Sequence, residues 1–357
     1  MRLKGLLLAG GTGSRLRPLT YTGAKQLIPV ANRPILFYAV EAMVEAGVTE
    51  IGVIIGDTGP SVQEALGDGS RFGCRFTFIP QSAPLGLAHA VMTAESFLGD
   101  DPFLMMLGDN LLRGGLSGLV QRFAAGDYAA SILLTPVPDP RQFGVAVVEN
   151  GRVVRLLEKP DPPPSNLALV GAYVFQPVIH RAIHTLKPSR RGELEITDAL
   201  QTLVDWQLPV DAALVQGWWK DTGRPEDVLD ANRLVLEDLQ AGIDPSAEID
   251  DLSQLSGRVQ IGPRARIVRS TIRGPVIIGE EAELVDAYVG PYTSVGPRVV
   301  IRTAEVENSV ILQDSELTDI PGRVDQSLIG QRVRVSGAPQ RPRAVRLVLG
   351  DQSRIDL

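Results

Sequence analysis

The 357-residue sequence predicts an α/β domain followed by a triangular parallel β-helix. Three observations predict it. The length corresponds to two domains of ~150 residues or a little more. Residues 1 to about 240 alternate strand-like apolar runs with segments of helical period. From about residue 258, aliphatic residues recur every five or six positions instead.

In the first half, Leu3 to Ala9 reads as a buried strand of the parallel kind. Leu36, Val40, Met43 and Val44 recur at helical spacing, and Gly47 stops that helix. Ile51 to Ile55 is the next strand, and Ser61 is placed to cap a short helix through Leu66. Phe76 to Ile79 reads as a strand, Gly86 to Leu98 as a helix, and Phe103 to Leu107 as a strand ending in Gly108-Asp109-Asn110. This βαβα order implies a doubly wound, Rossmann-like, mostly parallel sheet with ligands at the carboxyl ends of its strands. Ala129 to Thr135, Val145 to Val148 and Val153 to Leu157 are further strands, the last two joined by the hairpin signal Glu149-Asn150-Gly151-Arg152. Pro225 opens a helix that runs to about Gln240.

In the second half, Ile261, Ile267, Ile272, Ile278, Leu284, Val289, Val295, Ile301 and Val306 are separated by steps of five or six. Three consecutive steps span 17 residues, so Ile261, Ile278 and Val295 form one column. Ile267, Leu284 and Ile301 form a second, and Ile272, Val289 and Val306 a third. Three columns in register mean one aliphatic side chain per corner of a coil. The expected division is 1–242 for the first domain and 243–357 for a linker and the β-helix.

Composition excludes several function classes. Basic residues number 35 and acidic residues 42, a net charge of -7 and the wrong sign for a general nucleic-acid binder. The longest apolar runs fall far below the ~20 residues that span a bilayer. A single cysteine, Cys74, forbids an internal disulfide and a multi-Cys zinc site, and is expected to be structural. The opening MRLKGLLLAGGTGSR lacks a small-x-small cleavage site, so it reads as a first strand and the chain as cytoplasmic. His180 and His184 are four apart without a nearby third ligand, and with His89 they read as surface helix residues.

Leu8-Ala9-Gly10-Gly11-Thr12-Gly13-Ser14-Arg15-Leu16-Arg17-Pro18-Leu19 follows the first strand directly. Its glycines let backbone N–H groups converge on a phosphate, and Arg15 adds charge. No Gly-Lys-Ser/Thr closes it, so it is not a Walker A loop, and Leu16 stands where a dinucleotide fingerprint needs its third glycine. Taken alone, the run is equally a plain tight turn.

Together with Lys25-Gln26-Leu27-Ile28-Pro29-Val30, the run resembles the signature of sugar-1-phosphate nucleotidylyltransferases. Gln81, Pro84-Leu85-Gly86-Leu87-Ala88, Gly108-Asp109-Asn110, Phe143-Gly144-Val145 and Glu158-Lys159-Pro160 follow in the same order. Gly192-Glu193-Leu194-Glu195-Ile196-Thr197-Asp198 and Trp219-Lys220-Asp221-Thr222-Gly223 complete the set. Within the family the agreement is nearest to the thymidylyltransferases of long form, which end in a left-handed β-helix. Leu347-Val348-Leu349-Gly350-Asp351 also looks like that form.

The resemblance implies transfer of a thymidylyl group from dTTP to α-D-glucose 1-phosphate, with Mg²⁺ held by Asp109 and Asp221. It implies Arg15 and Lys25 on the triphosphate and the leaving pyrophosphate, and Lys159 on the sugar phosphate; with Asp109 these form the expected catalytic set. Leu8, Gly10, Gly11, Gly13, Gln81 and Gly86 would bind the nucleotide. Gly144, Glu158, Val170 and Glu193 would line the sugar, although Glu195 is close enough in sequence to compete with Glu193. Because the attacking phosphate is already an anion, no general base is needed, which suits a site of cations and two carboxylates.

Gln81 offers one donor and one acceptor to N3–H and O4 of a pyrimidine. Uracil and thymine share that edge, so a uridylyltransferase is the alternative. A β-helix with its own acyl-transfer chemistry is disfavoured because no histidine follows His184, and a non-enzymatic sensing paralogue because Arg15, Lys25 and Asp109 are all present. No nucleic-acid or membrane partner is expected; a homo-oligomer is.

Overall fold

The computed structural model describes residues 3–149 and 151–337. It divides into two compact units. The first takes the chain up to Gly13, Gly23–Leu27 and Ile35–Asp221; the second takes Ser14–Thr22, Ile28–Pro34 and the chain from Thr222 onward. The boundary expected at 242/243 therefore falls inside the second unit, which also draws in two segments of the N-terminal signature.

The first unit is a nine-stranded sheet. β1 (Lys4–Leu8) lies between β2 (Glu50–Ile55) and β4 (Phe103–Leu107), parallel to both, and β3 (Arg75–Pro80) continues the parallel set beyond β2. Alternate side chains of β1 serve two cores. Leu6 and Leu8 pack with Ala88, Val91 and Leu200 on one face; Leu7 packs with Leu36, Val40 and Met43 of α1 (Ile35–Glu45) on the other. Burial on both faces explains why β1 reads as an unbroken apolar run.

Beyond β4 the sheet becomes mixed. β6 (Ala130–Pro136), the hairpin of β7 (Gly144–Glu149) and β8 (Arg152–Glu158), and β9 (Leu167–Phe175) enter antiparallel, while β10 (Val210–Leu214) pairs parallel with β6. Glu149 pairs with Arg152 across the expected hairpin turn, whose Asn150 lies outside the described residues. A short ladder joins β5 (Asn110–Leu112) to β11 (Trp219–Asp221).

Three local expectations are corrected. α2 (Gly59–Leu66) starts before Ser61, with Thr58 at the cap position and Pro60 in its first turn. The helix expected over 86–98 is two pieces, α3 (Leu87–Thr93) and α4 (Glu95–Leu98), broken at Ala94. α5 (Pro225–Leu236) ends short of Gln240.

The second unit contains the left-handed parallel β-helix, three parallel sheets of five or six short strands. Ile261 pairs with Ile278 and Ile278 with Val295; Ile267, Leu284 and Ile301 follow suit, as do Ile272, Val289 and Val306. The three expected columns are the interior, and these residues are buried. The coils turn through residues at positive φ such as Arg264, Glu281 and Arg298. Arg264–Glu281, Arg269–Asp286 and Arg298–Asp314 pair between successive coils at 2.8, 2.6 and 2.7 Å. Exposed pairs of this kind add little each, so the aliphatic stack carries the stability. Leu347 to Asp351 lies outside the described residues.

The signature segment Ile28–Pro34 is tied to this unit by one buried amide. Pro29–Val30 and Arg33–Pro34 form a hairpin whose two turn residues, Ala31 and Asn32, have φ of 48° and 60°. Asn232 on α5, 1% exposed, accepts from the Ala31 N–H at 2.9 Å and the Ser294 hydroxyl at 2.6 Å. Its Nδ2 donates to the Tyr292 carbonyl at 3.0 Å, and Asn32 Nδ2 donates to the Val295 carbonyl at 2.7 Å. Helix, hairpin and coil thus share one polar clasp. Asn232→Ala removes three bonds and strands their partners, so a loss of about 2–4 kcal/mol is expected. Thermal unfolding checks this; an unchanged melting temperature would mean that the clasp holds nothing.

Candidate active site

The carboxyl end of β1 delivers the Gly-rich run, and the carboxyl end of β4 delivers Asp109 beside it. The Gly108 N–H donates to the Leu8 carbonyl at 2.9 Å, extending the β1–β4 ladder by one step. A Cβ on Gly108 would stand 2.7 Å from Leu36 Cδ1 and 2.9 Å from the Leu8 oxygen, so only glycine permits this approach. The carboxylate of Asp109 is ion-paired with the Lys25 ammonium, both side chains being mostly buried. Gln26, beside Lys25, is 2% exposed and its Oε1 has no hydrogen-bond partner. Arg15 is exposed in the short turn Ser14–Leu16, which belongs to the second unit.

The other expected metal ligand, Asp221, pairs with Asn110 in the β5–β11 ladder, which brings its strand alongside Asp109. Two contacts hold that ladder to β9: Asn110 Nδ2 and Trp219 Nε1 each donate to the Val170 carbonyl at 3.1 Å. Both lone pairs of that oxygen are thereby used, so the Val170 carbonyl braces the β5–β11 ladder. The Phe143 and Trp219 rings meet edge to face at 5.5 Å, joining two motifs 76 residues apart in the sequence. Asn110 Oδ1 is buried without a partner. Two hard carboxylates, Asp109 in the turn before β5 and Asp221 on the adjoining β11, are the donor type that Mg²⁺ takes together with phosphate oxygens and water. No cluster of three or more His, Cys, Asp or Glu suited to a metal occurs among the described residues.

Gln81 follows β3, its N–H bonded to the Ile55 carbonyl at 2.9 Å. Gly86 has φ 105°, and a Cβ there would lie 2.3 Å from the Leu194 oxygen. Glycine is therefore needed at this position for packing against Leu194. Leu194 N donates to Leu85 O at 2.8 Å and Ala88 N to Leu194 O at 3.0 Å, so the segment Gly192 to Ile196 is hydrogen-bonded to the loop before α3.

The expected sugar-phosphate residues are brought together at the open end of the β7–β8 hairpin. Glu158 pairs with Gly144, accepts from the Thr197 hydroxyl at 2.7 Å and lies 3.2 Å from Arg191 Nη1. Lys159 Nζ is 3.8 Å from Glu158 Oε1. Lys159 itself has φ 43°, a conformation costing about 1–2 kcal/mol for a side-chain-bearing residue; its N–H is held by the Phe143 carbonyl at 3.0 Å. The two competing glutamates separate cleanly. Glu195 is buried, accepts from the Ser189 hydroxyl at 2.9 Å, and burial raises its pKa, whereas Glu193 stays partly open and pairs with Arg191 at 2.9 Å.

Sequence reasoning missed Arg191, Thr197, Gln26 and the side chain of Asn110 as members of this constellation. Three of them lie within runs that carried the resemblance, and Arg191 adjoins one; adjacency was their only signal. It also placed His180 on the surface, where the structure buries it. His180 is 7% exposed, stacks on Phe103 at 5.8 Å, and burial lowers its pKa. His184 is exposed and 3.0 Å from Glu95, as expected. His89 points back to Gln81. Cys74 is half-buried and its thiol is pushed up to about 11 by burial.

The nucleotidyl transferase family model matches residues 4–238. A glucose-1-phosphate thymidylyltransferase of Streptomyces antibioticus is 50% identical over 99% of both chains, and one of Streptomyces griseus is 48% identical over 99% of both. Among solved structures, a UDP-glucose pyrophosphorylase complexed with UDP-glucose superposes with a TM-score of 0.61 at 27% identity, over 66% of this chain and 99% of its own. The matched span contains every expected site residue, and full-length relatives share the β-helix half as well: the chain belongs to the nucleotidyl transferase family.

Proposed function

We propose that this chain transfers the thymidylyl group of dTTP to α-D-glucose 1-phosphate. A phosphate oxygen of the sugar forms a bond to the α-phosphorus as the bond to the departing pyrophosphate breaks in line. The observation that carries the reading is the meeting of a Gly-rich loop, the Lys25–Asp109 pair and the Asp221 strand at the carboxyl ends of β1 and β4. The full-length thymidylyltransferase relatives support dTTP as donor. Uracil carries the same edge as thymine, so UTP is the competing donor, and the UDP-glucose pyrophosphorylase neighbour favours testing it.

The residues divide the work by charge. Backbone N–H groups from Gly10 to Gly13 cradle the triphosphate, with Leu8 and Gly86 beside the nucleoside. Arg15 and Lys25 neutralise the triphosphate and the pyrophosphate as charge moves onto it. Lys159, with Arg191 next to it, grips the sugar phosphate. Glu158 and Glu193 accept from sugar hydroxyls beside Gly144, where a Cβ would stand 2.7 Å from the Thr197 hydroxyl and 3.1 Å from Glu158 Oε2. Asp109 and Asp221 would hold Mg²⁺, which supplies neutralisation of phosphate oxygens. No proton is abstracted from the nucleophile, so rate comes from alignment and electrostatics. No helix among the described residues is long and apolar enough to cross a membrane, and a cytoplasmic homo-oligomer is the proposed state.

Two substitutions test the assignments. Asp109→Asn is expected to lower turnover ~10²-fold or more while the fold survives, since metal affinity and phosphate alignment go together. More than half of normal turnover at saturating Mg²⁺ would remove Asp109 from the metal site. Lys159→Met deletes a charge-assisted contact worth ~1.5–3 kcal/mol. The KM for glucose 1-phosphate should rise roughly 10- to 150-fold on that basis, and the KM for dTTP by less than about threefold, because Arg15 and Lys25 hold that ligand. A large rise for dTTP alone would exchange the two phosphate subsites.

A further inference from the structure

We infer that His89 is a positioning residue that sets which bases the site accepts, by locking the side-chain amide of Gln81 in one orientation. The inference rests on the reading that Gln81 meets the pyrimidine edge of the base, as expected from the sequence.

The hydrogen-bond geometry defines the lock. Gln81 Nε2 lies 3.4 Å from the Gly86 carbonyl oxygen and 2.9 Å from His89 Nδ1. A carbonyl oxygen only accepts, so the amide atom facing it is the nitrogen and not the oxygen. That same nitrogen faces His89, so Nδ1 must accept and the imidazole carries its proton on Nε2. Both amide hydrogens are then committed within the protein. Gln81 Oε1 is turned the other way, 3.7 Å from where a Cβ on Gly10 would stand, at the mouth of the Gly-rich loop. His89 is held for this task on the first turn of α3, whose Ala88 N–H is bonded to the Leu194 carbonyl.

An amide locked this way offers the base an acceptor and no donor. Thymine and uracil carry N3–H and can donate to it. Cytosine has a bare nitrogen at N3, so two lone pairs would face each other across the contact. The sequence reading gave Gln81 two roles, toward N3–H and toward O4. With its nitrogen engaged, only the first remains, and O4 must be served by another donor. Without His89, the amide is held only by the longer Gly86 contact and can turn its NH₂ toward cytosine N3. Selectivity of this kind comes from leaving a wrong partner unpaired.

The test compares kcat/KM for dTTP and for dCTP, with glucose 1-phosphate and the full-length enzyme. Both nucleotides carry the same triphosphate, so the ratio cancels general effects on binding or folding. His89→Leu removes the acceptor and should cut the dTTP-over-dCTP preference by about tenfold. His89→Asp restores an acceptor-only group near the position of Nδ1 and should keep the preference within about threefold of the natural enzyme. An unchanged preference in His89→Leu, or an equal loss in both variants, would overturn the inference. Gln81→Ala separates the two layers of argument. If it leaves the KM for dTTP unmoved, the base is not at Gln81 and both readings fall; if it raises that KM while His89→Leu leaves the preference intact, only the role of His89 falls.

Discussion

The site depends on one backbone hydrogen bond, from Gly108 N to the Leu8 carbonyl. It extends the parallel β1–β4 ladder one residue past the sheet, and so fixes the start of the Gly-rich loop against the start of the Asp109 turn. Phosphoryl transfer without a general base relies on placing charge, and a displacement of this ladder would separate the phosphate loop from the carboxylate that neighbours it. The close approach admits no side chain at position 108. The rest of the first unit follows from this pair of strands: two apolar cores clamp β1 from opposite faces, and their alternation leaves no freedom to slip register.

Around that pair, the supporting shell is built from polar contacts between segments distant in sequence. The Val170 carbonyl takes two donors, one from each strand of the β5–β11 ladder, and thereby positions Asp221. Arg191 gathers Glu158, Glu193 and Glu195 into one network. Such a network fixes rotamers, and within it burial distinguishes a structural glutamate, Glu195, from an open one, Glu193. In the second unit the same logic recurs in a single residue: Asn232 satisfies helix, hairpin and β-helix coil with one amide. Part of the N-terminal signature is thus anchored to the β-helix through Asn32, and to the Pro225–Leu236 helix through Ala31.

The sequence and the structure diverge where a side chain answers to two demands. Gly86 is expected at the nucleotide, and its conformation and the nearness of Leu194 also require glycine for packing. Val170 is expected beside the sugar, and its oxygen also accepts the two donors that brace the β5–β11 ladder. His89 looked like a surface residue because helical spacing puts it off the apolar stripe. Its partner is eight residues earlier, across a loop whose path no local pattern encodes. The helix over 86–98 was read as one because its apolar period continues through Ala94, where the backbone nonetheless breaks.

By itself the sequence determined the alternation of strands and helices, the three aliphatic columns of the β-helix, and the ordered motifs that carry the family. Each is a local or strictly periodic property: apolar burial repeats every two, 3.6 or 17 residues, and a phosphate-binding turn is written in consecutive glycines. Only the tertiary structure decided the mixed half of the sheet, the assignment of Ser14–Thr22 and Ile28–Pro34 to the second unit, and the partners of Gln81, Glu158, Val170 and Asn232. These are hydrogen bonds between residues from eight to more than two hundred positions apart. Their donors and acceptors are common polar groups with no sequence period, so which of them meet is settled by how the cores pack.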